Sequence, residues 1–263
     1  GRTGRTVLRG HRAIRWRARY AGGAKLYPGQ YGAALIATDE AGNDRRSAEA
    51  PWRVHRKVRA HVYTRLPSAG RRVALTFDDC FREDSWRSIL RTLRQRRTDA
   101  TFFCTGAAAA RAPSLLRRTV RDGHVFGSHT WDHARLTTVG RSGTANRIAR
   151  VGALSWSVAR HTTAPYFRPP FGLWDSEVLA GARAASHPRV IMWDVDPRDW
   201  TFPGMRTIVR RSVGPARGGS IILLHTIPQT AHALRGIITG LRRKGLRPVT
   251  VAELFRAAGY RSG

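Results

Sequence analysis

Acidic residues are scarce in this chain: 17 Asp and Glu stand against 47 Lys and Arg, a formal net charge of +30 over 263 residues. Lysine is nearly absent too, occurring only at positions 25, 57 and 244, so arginine carries the charge. The arginines are spread along the whole chain and form no single stripe. That distribution argues against a dedicated polyanion site and fits arginine filling solvated faces. No specific nucleic-acid partner is expected from it. Cysteine is limited to Cys80 and Cys104, with no CxxC pair and no Cys/His cluster, which excludes a structural zinc module. No apolar run approaches the roughly 20 residues that cross a bilayer, so no membrane span is expected. The chain opens Gly1-Arg2-Thr3, with neither an initiator Met nor a charged-then-apolar leader. It reads as a mature or truncated product whose export signal lies outside the chain.

What is present is enough for a sizeable core. Hydrophobic residues make up 41%, which excludes global disorder, and the length suits one mid-sized domain plus something smaller. Residues 1–60 read as β-rich. A strand-like run covers 31–38 between the turn signal Pro28-Gly29 and the polar segment 39–43, and an earlier strand is expected over 13–19. With Trp16, Gly22-Gly23 and Ala37-Thr38-Asp39, this segment resembles the last strands of a bacterial immunoglobulin-like sandwich, with its other strands upstream. Residues 61–70, with Pro67, Ser68 and Gly70, read as a linker.

From 71 to 263 the pattern becomes alternating strand and helix. Val73-Ala74-Leu75-Thr76-Phe77 is a buried-strand run, and 84–97 carries apolar residues at 86, 89, 90 and 93, a helical spacing. Further strands are expected at 100–104, 125–128, 189–193 and 220–224, with helices near 113–121 and from Val251. Repeated β-α units imply a parallel sheet covered by helices, open or closed into a barrel.

Six of the few acidic residues crowd into three segments: Asp78 and Asp79; Asp132; and Asp194, Asp196 and Asp199. Asp78-Asp79 directly follows a buried strand. A helix N-cap would account for one carboxylate but not for two adjacent ones, which repel unless a cation or an arginine compensates. His129 and His133 lie four apart; one helical turn would put both imidazoles on one side, a metal-ligand spacing. Such pairs are more often incidental, but a carboxylate from another strand end would complete a two-His, one-Asp set with an open position for water. Arg168-Pro169-Pro170-Phe171-Gly172 by itself is an ordinary rigid turn, and Asp196-Pro197-Arg198-Asp199-Trp200 by itself a charged loop. His225 ends the apolar run of residues 221–224, putting an ionisable group at a strand's C-terminal end.

Five segments, TFDD (76–79), HTWDH (129–133), RPPFG (168–172), DPRDW (196–200) and LLH (223–225), occur in this order. They resemble the NodB-homology polysaccharide deacetylases, carbohydrate esterase family 4, over roughly residues 71–256. The resemblance implies a distorted (β/α) barrel and a metal-dependent hydrolase that removes N-acetyl groups from an amino-sugar polymer such as peptidoglycan, chitin oligomers or an exopolysaccharide. Asp79, His129 and His133 would hold a divalent metal, most often Zn2+, with Co2+ or another divalent ion as alternatives. Asp78 would be the general base, restrained by Arg168. The backbone N–H of Phe171 would help hold the oxyanion, and His225 would be the general acid, oriented by Asp199. Trp200, Leu223 and Pro170 would contact substrate. Secretion or cell-wall association follows from the family, and attraction to anionic cell-wall polymers is compatible with the charge.

Three positions depart from the family pattern: Cys80 where Gly is common, Phe171 for the usual Tyr, and Thr226 where Asp is frequent. None removes a ligand, base or acid. Cys80 and Cys104 end consecutive β units; if those strands are neighbours the two come within disulfide reach, and a disulfide is expected ahead of the alternative of two free thiols. An acetylxylan-type O-deacetylase shares these motifs. A non-catalytic glycan-binding module is the rival from a different class, although a binder has no need of base and acid together.

Overall fold

The computed structural model describes residues 59–260 throughout, together with the backbone of four short strands nearer the N-terminus. The chain divides into two units, 1–57 and 58–263. In the first, β1 (Gly29–Ala33) pairs antiparallel with β4 (Ala50–Val54), and β2 (Ile36–Thr38) with β3 (Asp44–Arg46). The expected run over 31–38 is thus two strands. The strand expected over 13–19 lies outside the described residues. Among the described residues there is no second sheet packed on these pairs to make a sandwich.

The second unit is built on eight strands. They are β5 (His61–Tyr63), β6 (Arg72–Asp79), β7 (Thr101–Cys104), β8 (Val125–Ser128), β9 (Tyr166–Phe167), β10 (Arg189–Ile191), β11 (Ile221–His225) and β12 (Arg247–Val249). All pairings are parallel, in the order β11-β6-β7-β8-β9-β10-β5, with β12 beside the start of β6. Val195, just past β10, bridges to Ile222 of β11, and the Leu223 N–H donates to the Val195 carbonyl at 2.9 Å. The sheet therefore curls back on its own edge, a distorted (β/α) barrel. His61–Tyr63 falls in the segment read as a linker. It is the edge strand next to β10, and because that partner lies more than a hundred residues away, no local pattern announces it.

Helices α1 (Glu83–Gln95), α2 (Gly106–Arg111), α3 (Pro113–Arg121), α4 (Gly140–Ala159), α5 (Ser176–Ala184), α6 (Met205–Val213), α7 (Pro228–Arg243) and α8 (Val251–Ala257) connect the strands. The mechanism of their formation is plain in α1. Trp86, Ile89, Leu90 and Leu93 recur on one stripe and are fully buried, while Glu83 and Asp84 complement the helix N-terminus. Burial of such side chains contributes about 1.5–3 kcal/mol each. The main core packs α1, α3 and α7 against β6, β7, β8 and β11 through Phe77, Phe102, Phe126, Ile222 and Leu234.

The strand register positions the site. Across the C-terminal ends, His225 is opposite Asp78, Asp79 opposite Cys104, Cys104 opposite Ser128, and Ser128 opposite Phe167. Five neighbouring strands thus finish at one level, the end at which parallel α/β folds carry their chemistry.

Candidate active site

The two acids that end β6 diverge. Asp78 continues the strand and is buried; Asp79 turns into the left-handed region at φ 75°, followed by Cys80 at φ 62°. Asp78 is held by Arg168, whose Nη1 donates to its Oδ1 at 2.7 Å. Arg168 is itself fully buried. It also donates to Thr76 Oγ1 at 2.8 Å, to the Ile191 carbonyl at 2.9 Å and to the Met192 carbonyl at 3.1 Å, and its guanidinium lies 4.5 Å from the Phe103 ring centroid. A buried arginine with this many partners is rigid, and so is the carboxylate it grips.

His129 and His133 leave β8 on an irregular loop and not on a helical turn, which corrects the local structure read from their spacing. Thr130 at φ 67° and His133 at φ 55° bend the chain so that the ring centroids sit 5.0 Å apart. The convergence is tertiary. His133 Nε2 and His129 Nε2 come within 3.3 Å and 3.5 Å of the same atom, Asp79 Oδ1, and His129 Nε2 lies 3.8 Å from Asp78 Oδ2. One ligand atom from each of Asp79, His129 and His133 falls within 4.8 Å of the others.

These residues fit a divalent cation. His129 Nδ1 lies 2.8 Å from the Arg168 carbonyl. A carbonyl only accepts, so Nδ1 carries a proton, and in the neutral imidazole the Nε2 lone pair faces Asp79. Asp79 Oδ1 is buried and has no hydrogen-bond donor. An orphaned carboxylate oxygen facing an imidazole lone pair is costly unless a cation lies between them. Burial raises the Asp79 pKa; a hydrogen bond and charge from protonated His129, with charge on His225 and His133, would outweigh it and hold the group below the ordinary carboxylate value. With His129 and His133 neutral as ligands, a bound cation would supply that positive charge instead. Burial, reinforced by His129, lowers the His133 pKa against the pull of Asp79 and Asp78, which keeps that imidazole neutral, as a ligand must be.

His225 stands across from Asp78 and is anchored by Asp199. Its Nδ1 is 2.7 Å from Asp199 Oδ1, and its backbone N–H donates to Asp199 Oδ2 at 2.8 Å. Asp199 is fully buried and also accepts from the Thr230 hydroxyl. Burial would lower the His225 pKa, but the hydrogen bond and charge of Asp199, with Asp78 and Asp79 behind it, push it up to about 9.

The remaining expected residues are distributed as follows. Phe171, at φ 60°, is exposed and packs edge-on against His133 with centroids 4.6 Å apart. Gly172 after it, at φ 68°, turns with Trp193 and Met192 against its open side, where a Cβ has no room. Pro170 and Leu223 are buried, and Trp200 is exposed beside Asp199. A cavity of about 570 Å³ lined by Asp196, Arg198, Arg210, Arg211, Gly214 and Pro215 contains none of the residues above except as chain neighbours. Cys80 and Cys104 form a disulfide with Cα atoms 5.0 Å apart.

Of the six clustered acids, three converge here and three do structural work. Asp132 pairs with Arg147 at 3.1 Å, Asp194 accepts from Ser220 Oγ and the Ile221 N–H, and Asp196 closes a turn on the Arg198 N–H. Thr76, Thr230 and Thr226 carry no signal as single residues. Thr76 nonetheless braces Arg168, Thr230 braces Asp199, and Thr226 donates through its N–H and hydroxyl to the Asp78 carbonyl at 3.3 Å each.

Comparison with known proteins agrees with this geometry. The family model described as polysaccharide deacetylase matches residues 66–190. A peptidoglycan-N-acetylglucosamine deacetylase from Bacillus cereus is 33% identical over 201 residues, covering 74% of this chain and 93% of that protein. A chitooligosaccharide deacetylase from Sinorhizobium fredii is 37% identical over 153 residues, 58% of this chain and 71% of that one. Among solved structures, a peptidoglycan N-acetylglucosamine deacetylase superposes with a TM-score of 0.71 at 30% identity, covering 77% of this chain and 96% of the other. A Bacillus anthracis pseudoenzyme of carbohydrate esterase family 4 superposes about as well, with a TM-score of 0.70 at 24% identity over 74% of this chain and 69% of that one. The fold by itself therefore does not decide activity, and the side chains must.

Proposed function

The chain belongs to the polysaccharide deacetylase family of carbohydrate esterase family 4, and from that membership we propose that it hydrolyses the N-acetyl groups of an N-acetylglucosamine polymer. Peptidoglycan and chitin oligomers are the substrates of the relatives it resembles, by their names. The observation that carries the reading is the pairing of Asp78 and His225 as register partners on adjacent strands, beside the Asp79, His129 and His133 group. Base and acid then stand side by side next to that group, the two proton-handling residues that amide hydrolysis needs.

Asp79, His129 and His133 would hold the metal, with Zn2+ the first expectation for a two-His, one-carboxylate set. When bound, the cation supplies Lewis acidity, making water a nucleophile near neutral pH and polarising the acetyl carbonyl. Asp78 takes the proton of the attacking water, kept in one orientation by Arg168. The Phe171 N–H is the backbone donor offered to the developing oxyanion. As the C–N bond breaks, His225 Nε2 gives its proton to the leaving amine, releasing acetate and a free amino sugar. Asp199 keeps that imidazole in the right tautomer through the 2.7 Å contact at Nδ1.

The polymeric substrate, together with the Cys80–Cys104 bond, supports a location outside the reducing cytoplasm, at the cell wall or in its surroundings. The excess of arginine supports a loose, salt-sensitive association with anionic wall polymers.

The test is acetate release from acetylated chitooligosaccharides, peptidoglycan and acetylated xylan, with the metal stripped and then restored. Release from the first two that needs metal and disappears in Asp78→Asn and His129→Ala supports the reading. Release from xylan alone moves the assignment to ester hydrolysis. No release from any of the three, with metal bound, would sink the enzyme reading for these substrates.

A further inference from the structure

We infer that the Cys80–Cys104 disulfide is a positioning device for the metal ligands, setting the relative placement of Asp79 and His129; the inference rests on the metal reading above. The chain spends its only two cysteines here. Cys80 directly follows Asp79, and Cys104 is the register partner of Asp79 across β6 and β7. The Cys104 carbonyl accepts the His129 N–H at 3.3 Å. The Asp79 carbonyl accepts the Thr105 N–H at 3.2 Å and, at 3.4 Å, its hydroxyl. One covalent link therefore ties the residue after the first ligand to the residue whose carbonyl anchors the second.

The local backbone shows why a tie is needed. Asp79 and Cys80 are consecutive non-glycine residues in the left-handed region, at φ 75° and 62°. That conformation is costly for an L-residue, because Cβ crowds the following carbonyl, and two such residues in a row add that cost twice. Released, this turn relaxes, and the carboxylate of Asp79 moves with it. Both cysteines are buried in the main core, Cys80 at 1% exposure and Cys104 at 0%. That shields the bond from exchange with solvent thiols and suits a permanent brace better than a sensor.

A disulfide that merely stabilised the fold would lower the melting temperature and leave the affinity of the folded chain for metal unchanged. A positioning disulfide changes that affinity. The experiment therefore reads Co2+ affinity, from d–d absorption and competition with a chelator, at a temperature where every variant is folded by circular dichroism. Wild type is compared with Cys80→Ala/Cys104→Ala and with Cys80→Gly/Cys104→Ala; in the second, glycine tolerates positive φ, so folding survives without the link. Loss of an outer-shell support typically costs about 10–100-fold in metal affinity, and a loss of that order is expected in both variants, with altered Co2+ band positions. Wild-type affinity in the folded glycine variant overturns the inference while leaving the metal site standing. If wild type itself takes up no Co2+, the metal reading falls and this inference with it.

Discussion

His225 lies opposite Asp78 in the register of β11 against β6, so the proposed acid and the proposed base are neighbours across a strand pair and not across a flexible cleft. Each is held from behind by a buried partner of opposite charge, Asp199 for His225 and Arg168 for Asp78. The two pairs mirror each other: a fully buried ion fixes a less buried one that faces the mouth. Rigidity of this kind is what lets a site place charge without reorganising at the moment of reaction.

The pH dependence of the acid follows from its partner. His225 works as an acid only while protonated, and with its pKa pushed up to about 9 it stays charged through neutral pH and loses the proton as pH rises past that value. The alkaline limb of kcat/KM should therefore fall near pH 9. Asp199→Asn removes the carboxylate whose hydrogen bond and charge raise that pKa, so the limb should move to lower pH and kcat should drop by about 10²–10⁴, the range for a displaced acid–base group. An unmoved alkaline limb in that variant would remove His225 from the acid role.

Mutation of either Arg168 or Asp78 should destabilise the fold. Asp78→Asn leaves a fully buried guanidinium without its countercharge, which costs on the order of 3–5 kcal/mol as a broken buried pair. Denaturant midpoints should show this loss even with substrate and metal absent. Arg168→Lys should also destabilise, because one ammonium cannot reach Asp78, Thr76 and the two β10-edge carbonyls together. A lysine variant of wild-type stability would contradict that account.

Metal should stabilise the chain as well as activate it. A cation that binds only the folded protein adds about 2.7 kcal/mol when present at a hundredfold excess over its Kd. Thermal melts with graded Zn2+ should rise in wild type and flatten in His129→Ala and His133→Ala. Equal rises in all three would place the cation elsewhere.

Away from the site, His124 should make stability pH-sensitive. It is buried between β7 and β8, with Nδ1 3.4 Å from the Ala100 N–H, and burial lowers its pKa to about 4, against the pull of Asp122. The unfolded chain takes up this proton near pH 6.5 and the folded chain only near 4. Stability is therefore full above 6.5 and falls as pH drops between those values, by about 3 kcal/mol at most. Urea midpoints at pH 7 and pH 5 should separate in wild type and draw together in His124→Gln.

Much of the architecture was legible before any coordinates. The β6 run and the α1 stripe of Trp86, Ile89, Leu90 and Leu93 announce themselves because burial imposes a period on residue type. Helix α4 does not: its 20 residues mix glycine, alanine and arginine, and only four of them, Thr144, Ile148, Val151 and Ser155, are buried. His129 and His133 were found by their spacing, yet the helix that the spacing evokes is absent, because residues 129–135 form a loop whose shape depends on contacts with β7 and β9. Asp194 and Asp196 looked like site residues for the same reason that Asp199 did. Nothing local distinguishes a carboxylate that accepts main-chain N–H groups from one that anchors a histidine.

The sequence alone determined which chemical groups the chain owns and in what order: paired carboxylates at the end of an apolar run, two histidines four apart, a rigid Arg-Pro-Pro turn and a histidine closing an apolar run. Local periodicity was enough for elements such as β6 and α1, because it records which side of each is dry. Only the tertiary structure decided that Asp79, His129 and His133 share one point, that Asp78 meets His225, and that His61–Tyr63 is an edge strand. Those relations span tens to more than a hundred residues. They arise from the register of parallel strands whose partners no local segment can specify.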